Sequence, residues 1–390
     1  MRERGDSSSP NAGSDAGSDA ETEPALHPGE RLAAYSNVST ALSLLSDQQL
    51  HGLVDSAEPL GVGIGGSSAL LKVAGVPVFA KRVPVTAREL RPDHVRSTAN
   101  VFDLPAFCQY GVGGPGFGVW REVAAHTMTT NWVLTGQHHA FPLMYHWRVL
   151  PAASATSSVP GGPGGPGGPS AGQDLPDELA DVERAVAYWG GGPAVRNRIE
   201  ALKEASASLV LFLEYVPRTL HEWLAEQVRI GGRAADRACR LVEQELVSGT
   251  SFMNDRGLLH FDAHFQNILT DGHRLYFSDF GLALSSRFDL SPEEADFFDE
   301  HRTYDRAYTL SYLVNALISA LYGYERAERE ALIRACADGA PPPAGPAEAR
   351  AIIARYAPLA AVVTEFYGRL LEESREIPYP REAVHRILGP

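Results

Sequence analysis

Two stretches of this 390-residue chain hold side chains suited to chemistry: His260-Phe-Asp-Ala-His-Phe-Gln-Asn-Ile-Leu and Leu275-Tyr-Phe-Ser-Asp-Phe-Gly-Leu-Ala. Asp262 and Asn267 stand five residues apart, and Asp279 follows twelve beyond Asn267. One carboxylate can orient a hydroxyl and accept its proton. A second carboxylate and a carboxamide can hold hard Mg²⁺ ions through oxygen, which are the jobs of phosphoryl transfer. Asp271-Gly272 between the stretches is a hairpin turn that would bring Asp279 back beside the other two. A competing reading takes His260 and His264, four apart, as metal ligands on one helix face. It needs a helix through the loop and a further ligand, and it leaves Asn267 and Asp279 without a task.

Phosphate groups need donors and positive charge. Leu60-Gly61-Val-Gly63-Ile-Gly65-Gly66 offers glycines at 61, 63 and 66, where backbone could approach a phosphate closely. Lys81 follows Gly66 by fifteen residues, after two short β-branched runs, and could pair with phosphate charge. Gly111-Val-Gly113-Gly-Pro-Gly116 has the same glycine spacing, but it runs into Trp120-Arg-Glu-Val with no lysine.

Together these residues resemble the protein kinases, whose catalytic loop reads His-x-Asp-x-x-x-x-Asn and whose metal motif is Asp-Phe-Gly. His260-x-Asp262-x-x-x-x-Asn267 and Asp279-Phe280-Gly281 match in type, order and spacing. The resemblance covers about residues 58–325 and implies ATP and Mg²⁺ as cofactors. It makes Asp262 the residue that orients the acceptor hydroxyl, with Lys81 and His264 beside it as catalytic candidates. Asn267 and Asp279 become metal ligands, and Gly61, Gly63, Gly66 and Lys81 cradle the phosphates. A helix-borne glutamate should pair with Lys81: Glu122 is the candidate and Glu89 the rival, the latter too close behind the strand for a helix to intervene. Leu213-Glu214-Tyr215-Val216 resembles the hinge that meets adenine through its backbone, so Glu214 and Val216 are expected at the nucleotide.

The resemblance thins at the acceptor. His264 stands where protein serine/threonine kinases place a lysine and looks more like the aminoglycoside and choline phosphotransferases. No Ala-Pro-Glu follows Asp-Phe-Gly. Instead Ser291-Pro-Glu-Glu294 reads as a capping box that starts a helix early. The first expectation is a Ser/Thr protein kinase-like enzyme. The second is a small-molecule kinase, and the third a pseudokinase binding module, against which Lys81, Asp262, Asn267 and Asp279 argue.

The elements that must position these residues follow from pattern. Residues 40–55 look helical, 59–85 read as strand–turn–strand–turn–strand, and Trp120–Leu134 has helical spacing. Ala140–Leu150 and Leu209–Val216 read as strands, with 178–205 mostly helical between them and helices dominating from Thr219 onward. The fold class expected is α+β: a bilobal, protein-kinase-like fold with a β-rich N-lobe, a helical C-lobe and an interlobe ATP cleft. Its parts are a disordered tail 1–29, an N-lobe 30–213 carrying a Gly/Pro-rich linker at 151–172, a hinge 214–217 and a C-lobe 218–390. The tail beyond Arg326 reads as amphipathic helices. His138-His139, Trp147 and Tyr188-Trp189 read as core packing.

Composition sets the outer bounds. Lys plus Arg total 34 and Asp plus Glu 48, a net charge of −14 that argues against a nucleic-acid surface. Cys108, Cys239 and Cys336 are far apart and read as free buried thiols in a reducing compartment. No apolar run reaches membrane-spanning length and no signal-peptide core is present, so the chain reads as cytoplasmic, with ATP and a hydroxyl-bearing acceptor as its partners.

Overall fold

The computed structural model describes residues 28–63, 66–111, 116–152 and 181–389. Two helices come first, α1 (Pro28–Ser43) and α2 (Asp47–Asp55). The single helix expected over 40–55 is therefore two. Ser46 ends the first run by capping the second: its hydroxyl accepts from the Gln49 N–H, and the Gln49 side chain returns to the Ser46 N–H. The tail expected over 1–29 lies outside the described residues up to 27, while Pro28 and Gly29 already belong to α1.

An antiparallel sheet follows, in the order β1-β2-β3-β5-β4. Its strands are β1 (Glu58–Gly63), β2 (Gly66–Val73), β3 (Val76–Val85), β4 (Met144–Pro151) and β5 (Ala207–Glu214). Gly66 has φ 113°, and a Cβ there would sit 1.8 Å from the Arg82 carbonyl oxygen, so the close approach of β2 to β3 requires glycine. Inner strand β5 is buried on both faces and pairs with β3 and β4. Between β3 and β4 the chain passes through a 3₁₀ turn (Ala106–Tyr110) to α3 (Val119–Leu134). Between β4 and β5 lie α4 (Val182–Tyr188) and α5 (Pro193–Lys203), split by Gly190–Gly192, with Gly190 and Gly191 at positive φ. Most of the linker expected at 151–172, and residues 178–180 of the expected helical run, lie outside the described residues; Pro151 ends β4.

The remainder is helical. Short β6 (Arg218–Thr219) leads into α6 (Leu220–Ile230) and α7 (Gly232–Asp255). Then come β7 (Leu258–Leu259), the hairpin of β8 (Ile268–Thr270) and β9 (Leu275–Phe277), and β10 (Leu284–Ser285), which pairs with β7. The hairpin turns at Asp271-Gly272, where Asp271 Oδ1 accepts from the His273 and Arg274 N–H groups. Helices α8 (Pro292–Glu300), α9 (Tyr304–Tyr322), α10 (Arg326–Ala337), α11 (Ala347–Glu372) and α12 (Arg381–Leu388) complete the chain. The class is thus mixed α+β, with the sheet in the first part and helices in the second. Among the described residues, no helix is long and apolar enough to cross a membrane.

The three cysteines are free and buried. Of the aromatic and histidine residues expected in the core, Trp189 is buried, but Tyr188 and His139 are exposed. Tyr188 instead lies under the Arg375 guanidinium, 3.9 Å from its ring centre, and its carbonyl accepts from Arg375 Nε.

Candidate active site

A cleft of about 660 Å³ runs between the sheet and the helical part. Leu60, Gly61, Gly66, Phe79 and Lys81 line it from one side, and Asn267 and Asp279 from the other. Leu213, Glu214, Tyr215 and Val216 close its end.

At its centre Lys81 Nζ lies 2.8 Å from Glu122 Oε1 and 2.8 Å from Asp279 Oδ1. Strand β3 delivers Lys81 and the first turn of α3 delivers Glu122, so the two meet although 41 residues separate them. Burial alone would strip the lysine of charge, but Asp279 and Glu122 outweigh it and hold the ammonium above its usual range. Burial likewise pushes the Asp279 carboxyl up, and Lys81 overcomes that to bring it to about 2. Glu122 moves the other way, because its burial prevails over Lys81. Glu89 is engaged elsewhere: it accepts from the Thr86 N–H at 2.9 Å and pairs with Arg198 Nη1 at 2.8 Å.

Asp262 sits on a loop held in an unusual shape. Phe261 has φ 62°, an uncommon conformation for a bulky side chain. Asp305, in the first turn of α9, steadies it by accepting from the His260 N–H at 2.6 Å and the Phe261 N–H at 2.9 Å. His260 Nδ1 accepts from the Asp262 N–H, which leaves Nε2–H to donate to the Ser278 carbonyl at 2.9 Å. Burial holds His260 neutral, its pKa lowered to about 4. It is thus a brace between the two motif loops. The two-histidine metal reading gains no third ligand: among the described residues no group of three His, Cys, Asp or Glu is placed to hold a metal.

Asn267 Nδ2 donates to Asp262 Oδ2 at 2.9 Å and to the Asp262 carbonyl at 3.1 Å, leaving Asn267 Oδ1 free of these bonds. Burial, reinforced by Asp279, raises Asp262 to about 7. The site therefore holds two carboxyl groups of unlike character, one poised to exchange a proton near neutrality and one fixed as an anion. His264 Nε2 stands 3.7 Å from Asp262 Oδ1, and its Nδ1 accepts from the Gln266 N–H. Asp279 has φ 59°, tolerable for aspartate, and Gly281 N–H donates to its Oδ1.

Of the glycines expected to cradle phosphates, Gly61 has no atom of the described residues within 4 Å of where a Cβ would stand, and Gly63 pairs with Gly66 across β1–β2. Ile64 and Gly65 between them lie outside the described residues. Glu214 lines the cleft, but its side chain is bound away from it. Arg31 of α1 grips it with Nε–Oε1 at 2.8 Å and Nη2–Oε2 at 2.6 Å, and the Leu143 N–H adds a third bond. Only the backbone of Glu214 is thus offered to a ligand.

Sequence reasoning missed Arg31, Asp305 and the buried Arg121–Glu294 pair at 2.7 Å, which ties α3 to the first turn of α8. Each acts across a long separation and leaves no local pattern. The capping box at Ser291 and Glu294 was readable, and it forms.

Neither the protein-family models nor the curated proteins compared with this chain include a match.

Proposed function

We propose that the chain is an ATP- and Mg²⁺-dependent phosphotransferase with a bilobal, protein-kinase-like fold, acting on a hydroxyl acceptor. The observation that carries this reading is Lys81 bridging Glu122 and Asp279 at 2.8 Å each, within the same cleft as Asn267. Asn267 Oδ1 and the Asp279 carboxylate are hard oxygen donors, the set that suits Mg²⁺ held by one or two side chains plus substrate phosphates. When bound, the ion would neutralise charge on the transferring group.

The chain's own residues divide the remaining work. Lys81 meets phosphate charge, and the backbone of 214–216 meets the base. Asp262 accepts the acceptor's proton as the hydroxyl oxygen bonds to the γ-phosphorus. The bond from that phosphorus to its bridging oxygen breaks, and ADP leaves. A carboxyl titrating near 7 suits that role, because it can gain and lose a proton at working pH.

A small acceptor is favoured over a protein Ser/Thr side chain by the segment after Gly281. It is short and tied down at both ends: Leu284 and Ser285 pair with β7, the Asp289 N–H donates to Thr98 Oγ1, and α8 begins at Pro292. Little backbone is left to present as a platform for a peptide.

The test is transfer of labelled γ-phosphate with Mg²⁺, comparing autophosphorylation, generic protein substrates and a panel of small hydroxylated compounds. Mg²⁺-dependent label transfer to a small compound is expected. Absence of ATP binding by calorimetry in the presence of Mg²⁺ would overturn the reading.

A further inference from the structure

A second cavity, of about 620 Å³, lies among α6, α9, α10 and α11, and its upper wall packs on the loop that carries Asp262. Phe265 of that loop stacks near Tyr312, ring centres 4.8 Å apart, and the His221 N–H donates to the Phe265 carbonyl. Phe261 lies 4.7 Å from Tyr304, which stacks on Tyr308 at 5.7 Å and hydrogen-bonds to the Tyr367 hydroxyl. Burial first, and then the Asp262 charge, raises Tyr308 above the usual phenol range. The volume falls in the range of small-molecule sites, and tyrosine rings give it an apolar wall with polar tips.

The far end carries a charge with no opposite. Arg329 of α10 donates from Nε to Asn315 Oδ1 at 2.8 Å and from Nη1 to Ser319 Oγ at 3.0 Å, with the Tyr324 carbonyl at 3.5 Å. These partners are neutral, and among the described residues no carboxylate lies within 4.0 Å of this guanidinium. The other cation of the lining, Arg326, is already paired with Glu330 at 2.8 Å. Nη2 carries none of these bonds, so its two N–H groups remain to meet a carboxylate, and one unneutralised cation matches a monoanion.

Resting on the phosphotransferase reading above, we propose that this cavity seats the acceptor and that Arg329 selects one bearing a carboxylate. From Tyr308, which stacks on the Tyr304 ring that meets Phe261 next to Asp262 in the chain, to Asn315 and Ser319 is seven to eleven residues along α9. That places the carboxylate about 10–16 Å from the reacting hydroxyl at 1.5 Å per residue. The acceptor class is therefore an elongated, largely apolar hydroxy acid, whose hydroxyl gives its proton to Asp262 and takes the phosphoryl group from ATP.

The probe is ω-hydroxydodecanoate, with dodecanediol as its uncharged match and kanamycin as a polycation. Equilibrium binding to the full chain reads the cavity without requiring transfer. The acid should bind at least tenfold more tightly than either comparison, and that preference should vanish in Arg329→Gln. Thr364→Trp, which fills the cavity from α11, should abolish binding of the acid while the thermal unfolding midpoint stays near the parent's, which separates pocket loss from misfolding. Equal affinity for acid and diol, or an unchanged preference in Arg329→Gln, overturns the proposal. Labelled transfer then separates the two readings. Label on kanamycin and not on the acid would keep the phosphotransferase and overturn the cavity assignment. Arg329-dependent binding of the acid with no ATP bound by the protein would keep the cavity's anion preference and sink phosphoryl transfer.

Discussion

Arg31 in the first helix and Glu214 at the end of β5 form a two-pronged buried ion pair, 2.8 and 2.6 Å long, across 183 residues. The Arg31 side chain also donates to the Phe141 carbonyl at 2.8 Å and lies 5.3 Å from the Tyr276 ring centre. The first helix thereby fixes, from behind, the strand end that closes the cleft.

Removing one partner of such a pair leaves the other charge buried and unmet, which costs about 3–5 kcal/mol. Arg31→Met should therefore lower unfolding free energy by roughly that amount. The double variant Arg31→Met with Glu214→Leu should recover much of the loss, since neither charge then remains buried. Denaturant titration of the single and double variants checks this, and an unaltered midpoint in Arg31→Met would count against it.

Gly66 and Gly61 should respond differently to alanine. At Gly66 the positive φ and the Arg82 carbonyl at 1.8 Å from the new Cβ leave no room, so a loss of about 2 kcal/mol or more is expected. At Gly61 nothing among the described residues stands within 4 Å, and stability should stay within about 0.5 kcal/mol. Under the proposed function, any loss of ATP affinity in Gly61→Ala would then reflect the new methyl group at the nucleotide and not a damaged sheet. Denaturation and calorimetry on the two variants separate these effects; equal destabilisation would refute the distinction.

Under the proposed function, Asp279→Asn should abolish Mg²⁺-dependent ATP turnover, because a carboxamide lacks the charge that would bind the ion and attract Lys81. Lys81 would keep Glu122 at 2.8 Å, so the fold should persist. Parental turnover in this variant would mean the metal is held elsewhere.

The motif residues were legible because their spacing is local: a loop, a two-residue turn and a hairpin bring Asp262, Asn267 and Asp279 together within eighteen positions. Glu122 could be chosen over Glu89 because a helix needs length, and Glu89 lies only four residues beyond the end of β3. What could not be read was the support behind these groups. Asp305 reaches the loop from 44 residues away and Arg121 reaches Glu294 across 173, and no periodicity encodes such meetings. The break between α1 and α2 was readable in principle from Ser46 and Gln49, yet Leu42, Leu44 and Leu45 just before it mask it.

Asp262 allows a test that combines stability with activity. Burial, aided by Asp279, raises its carboxyl from an ordinary 3.8 to about 7. The folded state then binds the proton more tightly than the unfolded chain. Stability from this group is present below about pH 4 and lost as pH rises through about 7, as the partly buried carboxylate forms. Its side chain is 33% exposed, so solvent screening limits the effect to about 1–2 kcal/mol. Asp262→Asn cannot ionise. Relative to the parent it should therefore be more stable at pH 8 than at pH 5, by roughly that margin. Under the proposed mechanism the same variant should transfer phosphate several orders of magnitude more slowly, because a carboxamide cannot accept the proton, while ATP affinity is kept by Lys81 and the metal ligands. A residue that merely braced its loop would behave in the opposite sense, losing stability and nucleotide affinity together on substitution. Denaturation at the two pH values, calorimetry with ATP and the transfer rate, all on one variant, separate the roles. Full transfer by Asp262→Asn would sink the catalytic assignment.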